Sequence, residues 1–428
     1  MYSGCGNLSR TFASLTHQRF CVAKRFCTKT ASCSSTYRFS VSSSPYSPPH
    51  SHVFTSRRIS PRLNPSPHCL FSRCLSDSAG RMDLKDVLQV LEQLAPLSLA
   101  ESWDNVGLLV EPSKPRPVKT VLLTNDLTDA VMEEAEAMSC DLIISYHPPL
   151  FRPIKRLVQK DWKQRLAVRA VEAGIAVFSP HTSWDSVKGG VNDWLVGGLG
   201  SGRVSVLSQA RGSAIQSNKL EFMVRSPEER SAVLEELRAC DAGTTLQTSA
   251  SRPEDGGVLV SITCSDSALT PAVQTLLKHS TASQSLSIMK LEKPPLPGHG
   301  QGRMSVLDEP VTVEAAIQKM KSHLSLSHLR LALGWGKTLE SSVSTVAVCA
   351  GSGASVLSGV KADLYITGEM SHHEVLDAVA KGTSVVLSDH SNSERGFLSI
   401  FRERLAVRLP AVVTVAVSKA DRDPLEVV

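Results

Sequence analysis

The side chains best suited to bind a metal ion are two histidines and two carboxylates that follow short apolar runs. They are His147, Asp185, His390 and Glu394. Imidazole nitrogens and carboxylate oxygens together are ligands that proteins use for Zn²⁺, Mn²⁺ and Fe²⁺. The pattern predicts a site for one or two divalent metal ions. The alternatives are a buried histidine satisfied by one backbone hydrogen bond and a His–Glu pair on an exposed surface.

His147 follows the most distinctive of these runs, residues 142–144, which read Leu-Ile-Ile. A short run without polar alternation is typical of a strand that is buried on both faces of a parallel sheet. Pro148 and Pro149 prevent the strand from continuing. Because ligands collect at the carboxyl ends of the strands in open α/β sheets, His147 stands where a metal ligand is expected.

Two later predicted strands end in similar polar clusters. Asp185 follows the second strand, and His390 and Glu394 follow the third, residues 383–387. If a helix begins near Asn392, His390 and Glu394 lie four apart on its first turn and can point the same way. A carboxylate such as that of Asp185 could also bridge two metal ions.

The loop at Gly351 and Gly353 admits two interpretations, a phosphate cradle or a plain turn between a strand and a helix.

The elements that would position these residues form two similar halves. Residues 120–123, a helix and residues 140–147 match residues 345–348, a helix and residues 362–372 in order and spacing. This similarity indicates a degenerate duplication in which two α/β halves face each other. A site between the halves would then draw ligands from both.

The middle of the chain has its own strand and helix pattern between Gly/Ser-rich and Pro/Gly-rich joints. We therefore predict an α/β fold with a first lobe at 82–201, an inserted small α+β domain at 202–302 and a second lobe at 303–428.

Charge and composition divide the chain at its first eighty residues. Residues 1–76 contain ten Lys and Arg and no acidic residue, which leaves 36 basic and 41 acidic residues in the remainder. This mildly acidic body argues against direct nucleic-acid binding. No apolar run approaches the roughly 20 residues that cross a bilayer, so no membrane role is expected.

The composition of residues 1–81 resembles a mitochondrial transit peptide, although a disordered tail or translated upstream sequence fits as well. Translation from Met82 would give a body without this leader. We expect a mitochondrial form if the leader is translated, and a form in the cytoplasm and nucleus if translation begins at Met82.

Several ordered motifs resemble those of the Nif-three family, whose bacterial members are catalogued as GTP cyclohydrolase-type homologues. The motifs cover about residues 83–428, and they are Ser102-Trp-Asp-Asn-Val-Gly-Leu-Leu, His147-Pro148, His181-Thr-x-x-Asp185, Thr367-Gly-Glu-Met-x-His-His and His390 followed by Glu394. The resemblance implies two α/β lobes around a dinuclear metal site, and dimers that assemble further into rings. It places the metal ligands at His147, Asp185, His390 and Glu394.

One position departs from the family pattern. Members with a full site have two adjacent histidines before the proline, and here the first is Tyr146. A phenol is a poor metal ligand unless it loses its proton, and its reference pKa of about 10 opposes that loss. One of the two metal ions is therefore expected to bind weakly or not at all.

Two functions follow from the resemblance. The first is a metal-dependent hydrolase that acts on a nucleotide-like or other cyclic small molecule. In this enzyme, His181 or His373 would shuttle protons. The second is a scaffold or transcriptional corepressor without catalysis, which acts through a transcription-regulatory or signalosome protein partner.

Overall fold

The computed structural model describes residues 82–114, 116–212, 216–240, 248–251 and 257–428. The predicted leader at 1–81 lies outside these residues. The strands are β1 (Gly107–Val110), β2 (Thr120–Thr124), β3 (Leu142–Ser145), β4 (Ala176–Ser179), β5 (Gly202–Arg211), β6 (Asn218–Val224), β7 (Thr248–Ser251), β8 (Val258–Cys264), β9 (Ser287–Lys290), β10 (Pro295–Thr312), β11 (Arg330–Ala332), β12 (Ser342–Cys349), β13 (Leu364–Thr367), β14 (Ser384–Leu387) and β15 (Thr414–Val417).

One α-helix precedes β1, and the other described α-helices lie between strands. The α-helices are α1 (Leu84–Leu94), α2 (Asp129–Ala137), α3 (Trp162–Ala173), α4 (Thr182–Ser186), α5 (Val191–Gly197), α6 (Pro227–Cys240), α7 (Asp266–Leu276), α8 (Ser280–Ser285), α9 (Val313–Leu324), α10 (Ala354–Leu357), α11 (His372–Ala380) and α12 (Phe397–Arg408). No helix in the described part of the chain is long and apolar enough to cross a membrane.

The first sheet has five strands in the order β1-β4-β3-β2-β15. Strands β15, β2, β3 and β4 run parallel, and β1 runs antiparallel to β4. All four residues of β3 are buried, as the unbroken apolar run at 142–144 predicts. The parallel strands end at one edge of the sheet, where the predicted ligand His147 lies.

The second sheet has six strands in the order β11-β14-β13-β12-β10-β5. Its three central strands β12, β13 and β14 are parallel, and β11, β10 and β5 pair antiparallel with their neighbours. With both sheets built around parallel strands that are covered by helices, the predicted α/β class is confirmed.

The duplication is visible in equivalent hydrogen bonds near the beginning of matching parallel strands in the two sheets. The Asp141 carboxylate accepts from the backbone N–H groups of residues 119 and 120, at 2.8 and 3.0 Å. The Asp363 carboxylate accepts from those of residues 344 and 345, both at 3.0 Å. The two aspartates occupy the same position in the two sequence matches.

A third sheet, β7-β8-β6-β9, is antiparallel throughout and has an apolar core of its own with helices α6, α7 and α8. It lies inside the predicted insertion. The boundaries predicted at 202 and 302 fall within β5 and β10, and both of these strands belong to the second sheet. The glycines near residue 200 therefore lead directly into β5 of the second sheet.

One buried apolar cluster joins the two larger sheets. It includes Leu123 and Ile144 of the first sheet, Val346 and Ile366 of the second, and Phe397 of α12. Separate apolar clusters cover the opposite faces, with α2 and α3 on the first sheet and α10 and α11 on the second. The two halves therefore pack face to face around a shared core.

Candidate metal centre

Three side chains of metal-ligand type converge between the two halves. The ligand atoms of His147, His390 and Glu394 all lie within 4.8 Å of one another. Nε2 of His147 is 3.3 Å from Oε2 of Glu394, and Nε2 of His390 is 3.5 Å from Oε1. His147 follows β3 of the first sheet, while His390 and Glu394 follow β14 of the second.

His147 is fixed by the loop after the neighbouring strand β2. Its backbone N–H donates to the carbonyl of Asn125 at 3.0 Å, and its carbonyl accepts from Ser145 Oγ at 2.7 Å. Its Nδ1 donates to Oδ1 of Asp126 at 2.9 Å. A carboxylate on one ring nitrogen fixes the tautomer and leaves the other nitrogen for a metal ion.

His390 and Glu394 are held by a 3-10 turn, Ser391–Ser393, and α12 begins only at Phe397. The prediction of a helix beginning near Asn392 was therefore wrong. Ser393 Oγ donates to the carbonyl of His390 at 2.7 Å, a local bond that competes with the first turn of a helix. The tighter turn still brings His390 and Glu394 together, as their spacing predicted.

The second nitrogen of His390 has a carboxylate partner as well. Its Nδ1 donates to Oε2 of Glu369 at 3.1 Å, from the loop after β13. Both histidines of the group thus present Nε2 towards Glu394 while a carboxylate holds Nδ1.

The electrostatics of the group favour a positive charge. Burial lowers the pKa of His147, but the charge of Glu394 and the hydrogen bond to Asp126 outweigh it and raise the pKa to about 10. Burial would raise the pKa of Glu394, yet His147, His390 and the amide of Asn125 hold it below its usual value. A cation is therefore well suited to the space between these side chains.

The donor set fits a divalent metal ion. Two imidazole nitrogens and one carboxylate are a common ligand set for catalytic zinc and for non-haem iron. Nε2 of His147 is buried and makes no hydrogen bond, although Glu394 is 3.3 Å away. The nitrogen therefore has an ion-pair neighbour but no hydrogen bond of good geometry, and a metal ion between it and Glu394 would bind both.

Gly351, the first glycine of the Gly-Ser-Gly loop, lies against the proposed ligands. Its φ is +63°, and a Cβ at this position would lie 2.6 Å from Oε1 of Glu394 and 3.0 Å from Nε2 of His390. The backbone can approach the ligand pair this closely only because glycine has no side chain. The following helix α10 has only four residues, too few to form an N-terminal phosphate site. The close packing of Gly351 against His390 and Glu394 accounts for this glycine instead.

The structure does not bring Asp185 into the three-residue group. Its Oδ1 accepts from the hydroxyl of Tyr146 at 2.7 Å, and both side chains are buried. Burial raises the pKa of Asp185 to about 6 and that of Tyr146 well above its ordinary value. Tyr146 therefore keeps its proton, and its hydroxyl occupies Oδ1 of Asp185.

His181 lies beside the group and is held by Asp104. Its Nδ1 donates to Oδ1 of Asp104 at 2.7 Å, and its ring makes edge contacts with those of Tyr146 and His147, at centroid distances of 5.6 and 5.4 Å. The φ of His181 is +34°, a rare conformation for a residue with a side chain. The Asp104 bond leaves Nε2 of His181 available for proton exchange.

His373, the other predicted proton carrier, is exposed on the first turn of α11 and contacts the ring of His372. The sequence interpretation assigned no role to Asn125, Asp126 or Glu369. Their position could have indicated them, because each lies within two residues of the end of a buried parallel strand, as His147 does.

Comparisons with known proteins agree with the sequence motifs. The family model described as DUF34/NIF3 (NGG1p interacting factor 3) matches residues 82–424. NIF3-like protein 1 of Bos taurus is 49% identical over 356 residues, which cover 82% of this chain and 94% of the relative. NGG1-interacting factor 3 of Saccharomyces cerevisiae is 30% identical over 369 residues, 82% of this chain and 100% of the relative.

A solved Bacillus cereus protein related to NIF3 has a similar fold. Its TM-score is 0.56 at 24% sequence identity, with coverage of 81% of this chain and 99% of that one. This similarity supports the two-lobed α/β architecture.

Proposed function

Because this chain belongs to the DUF34/NIF3 family, we propose that it binds one divalent metal ion through His147, His390 and Glu394 and acts as a metal-dependent hydrolase. The proposed substrate is a nucleotide-like or other cyclic small molecule. The observation that carries the proposal is the convergence of these three side chains from both halves of the fold. Zn²⁺, Mn²⁺ and Fe²⁺ all suit the ligands.

One ion per chain is proposed instead of two because of the pair formed by Tyr146 and Asp185. The phenol donates to the carboxylate at 2.7 Å, and a buried phenol that keeps its proton offers no strong ligand. Asp185 could then bind a second ion only through its other oxygen, Oδ2, unless it gives up this hydrogen bond.

The chemistry would divide between the ion and its neighbours. A divalent cation supplies Lewis acidity in such a site. His181 would accept a proton from the attacking water, because Asp104 holds its Nδ1–H and leaves Nε2 free to act as a base. Trp103 and Phe151 contact the His181 ring at centroid distances of 6.1 and 6.3 Å, so that an apolar wall lies on one side of the base.

Metal content tests the binding site. Full-length protein incubated with Zn²⁺ and desalted should retain about one zinc per chain by elemental analysis. Glu394→Gln should retain almost none, because it removes the shared carboxylate. His373→Gln is the matched control and should bind as the parent does. Equal zinc content in all three proteins, or none in any, would contradict the proposed site.

The hydrogen bond between Tyr146 and Asp185 leads to a prediction about the number of metal ions per chain. Tyr146→His replaces the phenol with an imidazole beside Asp185, and we expect zinc content to rise to about two per chain. Tyr146→Phe also breaks the hydrogen bond but adds no ligand, so it should stay at about one. A parent that already binds two ions would show that Asp185 acts as a ligand despite Tyr146.

Hydrolysis is tested separately with zinc-, manganese- and iron-loaded protein and a panel of cyclic nucleotides. His181→Asn should abolish turnover while metal content stays the same. Turnover that survives this change would remove His181 from the mechanism.

A second candidate function is partner binding without catalysis. The yeast relative is named for its interaction with NGG1, and this name supports a scaffold that acts through a protein partner. The family resemblance suggests a transcription-regulatory partner and a corepressor role. Bound metal without turnover, together with a stable complex that Glu394→Gln leaves intact, would support this function. The family resemblance also supports self-association as a homodimer, which sedimentation of the full chain tests.

A further inference from the structure

We propose that the segment Ser418–Asp423, which follows β15, positions the metal centre, and that Asp421 is its central residue. The segment lies outside the motifs that indicated the site. The inference rests on the proposed metal binding and identifies residues that hold the proposed ligands in place.

Asp421 joins the two halves of the centre through one buried carboxylate. Its side chain is only 2% exposed. Oδ2 accepts from the backbone N–H of Asn125 at 2.7 Å, and Oδ1 lies 3.3 Å from Nη2 of Arg395. Asn125 follows β2 of the first sheet, and Arg395 directly follows the ligand Glu394 of the second half.

Asn125, whose backbone is held by Asp421, in turn forms hydrogen bonds with two proposed ligands. Its side-chain amide donates to Oε2 of Glu394 at 3.1 Å, and its backbone carbonyl accepts from the N–H of His147 at 3.0 Å. A shift of Asn125 would therefore move the carboxylate of one ligand and the backbone of the other. Asp421 controls the backbone of Asn125 without touching either ligand.

Arg395 provides the second connection. Besides Asp421, it contacts Oδ1 of Asn392 at 3.3 Å through Nη1 and approaches Oδ2 of Asp126 at 3.9 Å. Asp126 is the carboxylate that holds Nδ1 of His147. One guanidinium thus links the turn that carries Glu394 to the group that orients His147, and Asp421 is its buried counter-charge.

The segment itself is anchored to both halves. Glu134 of α2 accepts from the hydroxyl of Ser418 and from the backbone N–H groups of Lys419 and Ala420, the last two at 3.0 and 3.1 Å. At the other end, Ser391 Oγ donates to Oδ2 of Asp423 at 2.6 Å. The segment therefore bridges a helix of the first half and the 3-10 turn of the second.

Hydrogen-bonding partners one layer outside the ligands commonly change metal affinity by about 10- to 100-fold when they are mutated. Asp421→Asn removes the charge that holds Arg395 while keeping the shape of the side chain. Asp421 touches neither ligand and acts one step further out, through Asn125 and Arg395. We therefore expect the dissociation constant for Zn²⁺, measured on the full chain by competition with a chromogenic chelator, to rise by about tenfold, the lower end of that range.

Asp141→Asn is the matched control. Asp141 also combines an arginine with two backbone N–H groups, pairing with Arg116 at 2.9 Å and accepting from residues 119 and 120. It lies at the opposite edge of the same sheet, away from the proposed ligands. We expect Asp141→Asn to lower the melting temperature of the metal-free protein as Asp421→Asn does, and to leave zinc affinity within about twofold of the parent.

A parent that binds one zinc with unchanged affinity in Asp421→Asn would overturn the inference and leave the proposed metal site intact. Equal losses in Asp421→Asn and Asp141→Asn would overturn it as well, since both would then act through general stability. A parent that binds no zinc would overturn both proposals. If Asp421→Asn does not fold, Asp423→Ala decides. It releases Ser391 and the backbone N–H of Leu425, and only Ser391 belongs to the turn of the metal centre. This variant should weaken zinc binding several-fold.

Discussion

At the scale of single residues, Glu394 is where the two halves of the centre meet. Its side chain is 2% exposed and lies within 3.5 Å of both histidine Nε2 atoms. A buried carboxylate is costly unless it is paired, and here the partners are His147, His390 and the amide of Asn125. The same arrangement that keeps Glu394 ionised provides the ligand set for a divalent cation.

Gly351 gives a prediction at this scale. Gly351→Ala places a Cβ 2.6 Å from Oε1 of Glu394 at a φ of +63°. Backbone strain alone costs roughly 1 to 2 kcal/mol, and displacement of Glu394 should also remove most zinc binding. Urea unfolding of the metal-free protein measures the first effect, and zinc titration measures the second.

Gly336→Ala separates these effects. Gly336 has a similar φ of +73°, but an added Cβ would have no atom within 4 Å. We expect a similar loss of stability from strain, about 1 to 2 kcal/mol, with zinc affinity unchanged. Zinc binding by Gly351→Ala that equals that of Gly336→Ala would show that Glu394 can move aside without losing the ion.

The three converging residues could be predicted because residue type and strand ends are visible in the sequence. His147 stands between an apolar run and two prolines, and His390 and Glu394 follow a second such run. The contact between Asp421 and Asn125 could not be predicted, because it joins residues 296 apart in sequence. The role of Tyr146 towards Asp185 likewise depends on a hydrogen bond across 39 residues.

At the scale of elements, the long strand β10 ties the halves together. Arg303 of β10 is 1% exposed, and its guanidinium donates to both carboxylate oxygens of Asp193 on α5, each at 2.8 Å. Helix α5 follows the Asp185 loop of the first half, and β10 belongs to the second sheet. The paired charges fix the angle at which these two elements meet.

Asp193→Asn should therefore destabilise the fold. It leaves the buried Arg303 guanidinium without its counter-charge, and the cost should be about 2 to 4 kcal/mol because one carboxylate of a buried pair is lost. Urea unfolding of the metal-free chain measures this loss.

Glu403→Gln is the control for the ion pair. The contact between Arg402 and Glu403 joins side chains that are 46% and 68% exposed, and loss of such a pair costs under about 1 kcal/mol. If the two variants unfold at the same urea concentration, the Arg303–Asp193 pair does not stabilise the junction of the halves.

Element types followed from local patterns, but their partners did not. The strand at 142–145 and the duplicated strand–helix units were visible as apolar runs and matching spacing. The addition of β15 to the first sheet, although it follows the whole second half, is a long-range pairing with no local signal. The start of α12 was misplaced because Ser391 and Ser393 form side-chain bonds that favour a 3-10 turn.

At the scale of the molecule, the shared apolar core and the proposed metal ion both connect the two lobes. Residues of both large sheets contribute to one apolar cluster, and both also supply proposed ligands. The small antiparallel sheet has a separate core. Metal binding should therefore couple the two lobes and leave the small sheet unaffected.

Hydrogen exchange with and without Zn²⁺ tests this coupling. A ligand that binds only the folded state stabilises it by about 4 kcal/mol at a concentration 1,000 times its dissociation constant. Exchange should slow at the strand ends of both lobes, at residues 124–127, 145–147 and 388–396, because the ligands and their hydrogen-bond partners lie there. Strands β6 and β8 should exchange at the same rate in both states. Protection confined to one lobe would show that the three side chains do not bind a common ion, and equal protection of β6 and β8 would show that zinc acts through general stabilisation of the whole chain.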